Sequence, residues 1–246
     1  VQYCEPTRPT TYVIGTGAHR RWEFSLNPGE DPRRMEQAGE VWRLLSRWIE
    51  PDDGALWRSA SYRFHALVAR DWRNGRIFIA GDAAHQQPPF LGQGLCQGIR
   101  DAANLAWKLD AVLRRRAPDA LLDSYGAERR CHVAALTGII KAIGGLIGER
   151  DPARAAARDE RLIEEAGGVV KPVPRQDLMP VLAEGFLSGA PSPGRGALFP
   201  QPWVTVAGGA ARMDDHVGRG FRLFSREAVG SSAELGLQAL GGACVQ

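Results

Sequence analysis

RIFIAGDAAHQQPPFLGQGLCQGIRDAANLAWKLDAVLRRR, residues 76–116, is the stretch whose reading decides the fold. Arg76 to Ala80 is apolar and β-branched and predicts a buried strand. Gly81 to Gly94 is rich in Gly and Pro and reads as a long loop. A helix follows, with Leu95, Ile99, Ala102, Ala103, Ala106, Leu109 and Leu113 as its apolar stripe. It ends in Arg114, Arg115 and Arg116, where cations suit the negative end of the dipole and face water. Between a strand and a helix N-terminus, backbone N–H groups and the positive dipole end point outward together, which suits an anion or a polarised carbonyl. Gly92 and Gly94 remove side chains where a flat ligand must touch backbone, and Pro88 and Pro89 stiffen the approach. Asp82 offers an acceptor suited to the hydroxyls of a sugar or polyol. The same residues also satisfy a plain strand-to-helix turn that needs Gly and Pro only for its path.

Upstream, Thr11 to Thr16 and Arg21 to Leu26 read as two antiparallel strands around Gly17-Ala18-His19. Asp31 then Pro32 starts a helix, and Met35, Ala38, Val41, Leu45 and Trp48 give it one apolar face up to Pro51. Tyr62, Phe64, Ala66 and Val68 alternate like a strand, and Asn74-Gly75 marks a turn. Downstream, Asp123 to about Ile147 predicts a second long helix and Pro152 to Ala166 a shorter, charged third one. Prolines 172, 174, 180, 191, 193, 200 and 202 make the span from Lys171 to Pro202 a connector. Trp203 to Val206 and Gly220 to Phe224 are strand-like. The expected organisation is a remainder of a sheet domain over 1–70, a helical part over 71–168, a connector over 169–202 and a short appendage over 203–246.

With 246 residues, 44% hydrophobic and 24% charged, the chain is long enough for a real core and is neither disordered nor a disulfide scaffold. Lys+Arg 31 against Asp+Glu 28 leaves a net charge of +3, too small to imply a nucleic-acid or membrane partner by electrostatics. No stretch reaches the ~18 consecutive apolar residues of a membrane helix. Cys4, Cys96, Cys131 and Cys244, without a CxxC pair, fit reduced thiols in a cytoplasm, and the five histidines show no metal-ligand spacing. The opening Val1-Gln2-Tyr3-Cys4-Glu5-Pro6 carries no signal peptide and no initiator methionine and reads like the middle of a protein, so a fragment is expected.

The run GDAAHQQPPFLGQGLCQGIRDAANLAWKL resembles the second flavin-contacting motif of the class A FAD-dependent aromatic hydroxylases. Within that class it is most similar to the 3-(3-hydroxyphenyl)propionate hydroxylase group, and RRWEF, YRFHALVARDWRNGRIFIAGDAAH, LLDSYGAERR and DDHVGRGFRL carry the likeness along the chain, thinnest over Asp151 to Gly196. The resemblance implies a mixed α/β (α+β) fold, the C-terminal half of a flavoprotein hydroxylase. It also implies that Asp82 bonds the ribityl chain of FAD and that Gly81 lets the cofactor approach. Pro88 would lie beside the isoalloxazine ring. The N–H groups of Gly92, Gln93 and Gly94 would face its N1–C2=O edge, with Leu95 completing the cofactor-binding set. Arg21 resembles an arginine that abuts flavin or substrate; an arginine at a strand start also serves as a surface ion-pair partner.

Other residues have plainer readings. His85 is a hydrogen-bonded structural residue, Asp101 and Asn104 fix helix-to-sheet contacts, and Trp22, Phe24 and Phe90 serve the core. Cys96 reads as small and buried. Asp214, Asp215 and His216 read as a solvated loop before a strand.

By the same resemblance, NADH or NADPH would reduce FAD, and O2 would provide the hydroxyl placed ortho or para to a phenolic oxygen. The sequence contains no GxGxxG strand-turn-helix for the FAD pyrophosphate, and the tail after Gln201 resembles the opening of a thioredoxin-like domain. Hydroxylation by this chain alone is therefore not expected. Two rivals remain: a split or decayed module that needs a complementing N-terminal half, and a polyketide-type hydroxylase of the same superfamily. A homodimer is also open.

Overall fold

The computed structural model describes residues 1–169, 172–218, 220–239 and 241–245. Lys171, at the head of the expected connector, lies outside the described residues. The N-terminal sheet is antiparallel, β1 (Gln2–Tyr3), β2 (Thr10–Ile14) and β3 (Arg20–Phe24) in that order, with Tyr12 opposite Trp22. Its β2–β3 turn passes through Gly17 at φ +61°, a conformation open to glycine. Asp31 caps α1 (Pro32–Met35) by accepting the Arg33 N–H at 3.1 Å, and α2 (Ala38–Leu45) follows. The single helix expected as far as Pro51 is thus two pieces. Gln37 is extended between them, while the Glu36 carboxylate is drawn to the Ser61 N–H at 2.6 Å, a tertiary bond that periodicity does not register. Tyr3, Trp22 and Phe24 pack their rings around Trp48, so Trp22 and Phe24 do serve a core.

The alternation from Tyr62 to Val68 yields only β4 (Leu67–Val68), because pairing partners exist for those two residues alone, on β7 (His85–Gln86). β5 (Arg73–Asn74) and β6 (Ile77–Phe78) form a hairpin through Gly75 at φ +59°. The strand expected over Arg76 to Ala80 is therefore short and only half-buried: Ile77 is 70% exposed, while Phe78 turns inward onto Tyr125. Trp72, Ala84, Tyr125 and Val133 form the core here, and the Tyr125 hydroxyl donates to the Ile79 carbonyl at 2.8 Å.

Three helices follow, α3 (Gly94–Leu113), α4 (Asp123–Ile147) and α5 (Pro152–Ala166). α3 inverts the expectation for its faces. Gln97, Asp101 and Lys108 are buried, whereas Leu95, Ile99 and Leu113 of the apolar stripe are exposed. The polar side faces inward because α4 and the preceding loop supply its partners. α4 and the turn before it are long and apolar enough, by length and composition, to cross a membrane. One side of it packs inward: Tyr125, Val133, Leu136 and Ile140 are buried, and so are its ionic Glu128 and Arg129, each bonded to α3. α5 is capped by Asp151, and its Arg158 ties back to the carbonyls of Leu146 and Cys4.

From 172 to 202 the described chain holds one 3-10 turn, Arg175–Leu178, and no strand. β8 (Trp203–Val206) and β9 (Gly209–Arg212) make a hairpin, followed by α6 (Met213–Val217). β10 (Arg222–Phe224) and β11 (Ala243–Val245) are parallel neighbours joined through α7 (Ser231–Ala239). Asp214, Asp215 and His216 sit on the short helix α6 rather than in a loop, and no metal-holding group of His, Cys, Asp or Glu occurs among the described residues.

Candidate functional site

The loop from Gly81 to Gln93 is built of short, locally closed pieces. Gly81, at φ +55°, opens a 3-10 turn to Ala83 that is closed by the Ala84 N–H donating to the Gly81 carbonyl at 2.8 Å. β7 returns alongside β4, and the Ala69 N–H donates to the Ala84 carbonyl at 2.8 Å. A second 3-10 turn, Pro89–Leu91, ends on Gly92 at φ +61°, and Gln93 leads into α3. Asp82 and Gly92 are exposed, Pro88 and Gln93 are buried, and Leu95 is exposed.

Beneath the first turn lies a buried polar network. Asp101 on α3 accepts the Gly81 N–H at 3.0 Å and His85 Nε2–H at 2.8 Å through one oxygen, and the Arg129 guanidinium of α4 at 2.8 Å through the other. Arg129 also donates to the Gln97 side-chain oxygen at 2.7 Å. Burial alone would push the Asp101 pKa up, but the bonds from His85, Arg129 and Gly81 outweigh it and hold the carboxyl below its usual range. Trp72 stacks on the His85 ring at 5.5 Å. His85 and Asp101 are thus structural, as their sequence context implied, though the contact runs from helix to loop and to a second helix. Gly98 is a residue that sequence reasoning missed: its Cα side meets Gly81 so closely that a Cβ there would lie 3.4 Å from the Gly81 Cα. Its signal was the spacing Gly94-x-x-x-Gly98, a small-residue step along one face of a helix.

α4 carries the rest of the loop. Gln87 Nε2 donates to the Thr137 hydroxyl at 2.9 Å, and the Phe90 ring lies over Gly144, where an added Cβ would collide with it. From Arg129 to Gly144 the helix rises by about 22 Å, so one rigid element supports the loop at both ends. Gly144→Ala is accordingly expected to displace Phe90 and cost about 1–3 kcal/mol in urea unfolding; no loss would mean that the ring does not rest there.

Along the start of α3, the N–H groups of Gln93, Gly94, Leu95 and Cys96 donate to no acceptor among the described residues. Gly92 differs from the expectation: its N–H already donates to the Pro89 carbonyl at 2.8 Å, because a left-handed residue closing a 3-10 turn points that bond inward. Cys96 is exposed, not buried, because it projects from the outward face of the first helical turn. Arg21 lies on β3 with its side chain 66% exposed and paired with Glu23 at 3.1 Å. It does not touch the loop directly. Burial, then the charge and hydrogen bond of Glu23, raise the Tyr62 pKa, which puts that phenol beside Arg21 and Glu23. Rings then continue from Tyr62 to Phe64 at 6.3 Å and from Phe64 to Phe90 at 5.4 Å. Tyr62 and Phe64 are 59% and 45% exposed, an open aromatic wall leading to the glycine loop.

An exposed carboxylate without a partner among the described residues, unpaired amides at a helix start and left-handed backbone at Gly81 and Gly92 fit a ligand combining hydroxyls with an electron-rich edge. A family model described as "FAD binding domain" matches residues 11–138, more than half of the chain. The chain belongs to the FAD-binding domain family. It is 39% identical over 221 residues to a probable NADH-specific resorcinol 4-hydroxylase of Rhodococcus jostii (strain RHA1), an alignment covering 89% of this chain and 40% of the relative. It is 37% identical over 230 residues to a 3-(3-hydroxy-phenyl)propionate/3-hydroxycinnamic acid hydroxylase of Mycolicibacterium gilvum (strain PYR-GCK), covering 88% and 40%. Its fold is similar to that of aklavinone-11 hydroxylase, solved as a ternary complex with FAD and aklavinone, at a TM-score of 0.68 and 25% identity over 98% of this chain and 47% of that one. The mixed α/β fold is therefore that of the flavin-dependent hydroxylases, and the family is one of enzymes. The chain spans 40% of the length of these curated relatives.

Proposed function

We propose that this chain forms part of an FAD-dependent monooxygenase that hydroxylates a phenolic aromatic acid with NADH or NADPH and O2. The observation that carries the reading is the row of unpaired N–H groups from Gln93 to Cys96 beside the unpartnered carboxylate of Asp82. FAD, when bound, supplies the redox chemistry. Asp82 would hold its ribityl hydroxyls, while Gly81 allows close approach. Gln93, Gly94 and Leu95 would hold the pyrimidine edge with their amides, which favour negative charge there without reorganising. Buried Pro88 keeps the loop stiff beside the ring. Arg21, Tyr62 and Phe64 line the side from which an aromatic acid would approach, the guanidinium suiting its carboxylate and the rings its face. The 37–39% identities to phenolic hydroxylases favour this class over a polyketide substrate, whose representative is 25% identical.

A second reading rests on length and on α3. Leu95, Ile99 and Leu113 present an apolar stripe, and the curated relatives extend well beyond the aligned region. In this reading the stripe packs against a complementing N-terminal half, and the chain acts only with it. The parallel β10–β11 pair joined through α7 supports a thioredoxin-like appendage after the connector.

Titrating the chain with FAD, followed by quenching of flavin fluorescence, tests the first reading. Asp82→Ala is expected to weaken binding about tenfold, the worth of a charge-assisted hydrogen bond. Unchanged affinity would remove Asp82 from the site. No binding by the wild-type chain, with binding restored by a co-expressed N-terminal segment of the resorcinol 4-hydroxylase relative, would move the weight to the second reading.

A further inference from the structure

We propose that Asp101 is the positioning residue of the turn that carries Asp82, setting the direction of the carboxylate that would hold FAD. The inference rests on the cofactor reading above and adds the residue that makes the site rigid. Asp82 has no partner among the described residues, so the backbone around it fixes its direction. That backbone is held at both ends by one atom. Asp101 Oδ2 accepts the N–H of Gly81, just before Asp82, and the Nε2–H of His85, at the end of the turn.

Three features show that this staple is built into the packing. Gly81 sits at φ +55°, a conformation open to glycine, and packs against α3 at Gly98, where an added Cβ would lie 3.4 Å from the Gly81 Cα. The Asp101 and His85 side chains are fully buried, so water does not compete for their bonds. Arg129 balances the carboxylate through Oδ1, leaving Oδ2 to the turn. The carboxylate accepts from Nε2, and His85 Nδ1 has no partner among the described residues.

The test measures hydrogen exchange of the Gly81 amide in the cofactor-free chain, together with FAD titration. Asp101→Asn places an amide where one oxygen accepted. Gly81 exchange should rise about tenfold or more, and FAD binding should weaken about tenfold. The double variant Asp101→Asn/Asp82→Ala should bind FAD no worse than Asp82→Ala alone, because Asp101 acts through Asp82. A merely structural role would give additive losses. His85→Gln, whose side-chain N–H can reach Asp101 from a place like Nε2, should keep Gly81 protected, and His85→Leu should not. Unchanged Gly81 exchange in Asp101→Asn, or additive losses in FAD affinity, would overturn the proposal. If Asp101→Asn fails to fold, the His85 pair decides: equal protection in both variants overturns it. If Asp82→Ala leaves FAD affinity unchanged, the cofactor reading fails, while Gly81 exchange still decides whether Asp101 holds the turn.

Discussion

Lys108→Met is expected to destabilise the chain by about 3–5 kcal/mol, a large share of the stability of an ordinary domain. Lys108 Nζ donates to Glu128 Oε2 at 2.6 Å, and the two side chains are 0% and 6% exposed. The same oxygen accepts Asn104 Nδ2 at 2.7 Å, and the other accepts the Phe186 N–H at 3.3 Å. Burial lowers the Lys108 pKa and Glu128 only partly opposes this, so the ammonium depends on its partner. With the cation gone, Glu128 would be left in a dry site with two neutral donors, and the penalty is that of a broken buried pair, not of one lost bond. Replacing both residues, as Lys108→Met/Glu128→Leu, should recover most of the loss, because an apolar pair of similar volume avoids desolvation altogether. Urea unfolding of the single and double variants checks this. A single variant that costs under about 1 kcal/mol would mean that the pair is hydrated in solution. Because Glu128 also receives the Phe186 N–H, the single variant should loosen the connector around Gly185–Phe186, visible as faster amide exchange there.

The second large effect is a pH dependence centred on His132. Its pKa is pushed down to about 4 by burial first, then by the positive charges of Arg129 and Arg100, and its Nδ1 has no partner. The folded chain thus keeps this imidazole neutral while the unfolded chain binds a proton near the ordinary histidine value of 6.5. Between those two values the unfolded state holds more protons, so stability falls as pH drops from 6.5 to about 4, by about 3 kcal/mol in all, and this group takes no more below that. Glu30 acts in a lower window. The Arg8 hydrogen bond holds it at about 2, so its contribution is lost as pH falls from 4.5 toward that value. His132→Leu should therefore flatten the stability profile between pH 7 and pH 4.5 and leave the more acidic part unchanged. A profile just as steep in the variant would place the titration elsewhere.

Much of the architecture is legible in order along the chain. Asp31 before Pro32 and Gly75 in the hairpin turn are local devices, and the same physics operates in a peptide as in the fold. α4 and α5 likewise lie where periodicity places them. The course of the Gly81–Gly94 loop between strand and helix is legible for the same reason. Glycine at positive φ and proline at fixed φ are properties of single residues.

What the chain could not disclose by itself are relations between residues far apart. The faces of α3 are the clearest case. Periodicity selects Leu95, Ile99 and Leu113 as inward, yet the helix buries Gln97, Asp101 and Lys108, because Arg129 and Glu128 of α4 offer charged partners that no window of α3 contains. The availability of the amides also depends on three-dimensional closure: Gly92 bonds back to Pro89, which shifts the free donors to Gln93 and the residues after it. The staple on Asp82 joins residues 81, 85, 101 and 129, which only the packed structure brings within hydrogen-bond reach. Local torsional preference thus determined where the turns and helices fall. The packed structure alone decided which polar groups meet, since the cost of burying an ion or an amide is settled by partners distant in the chain.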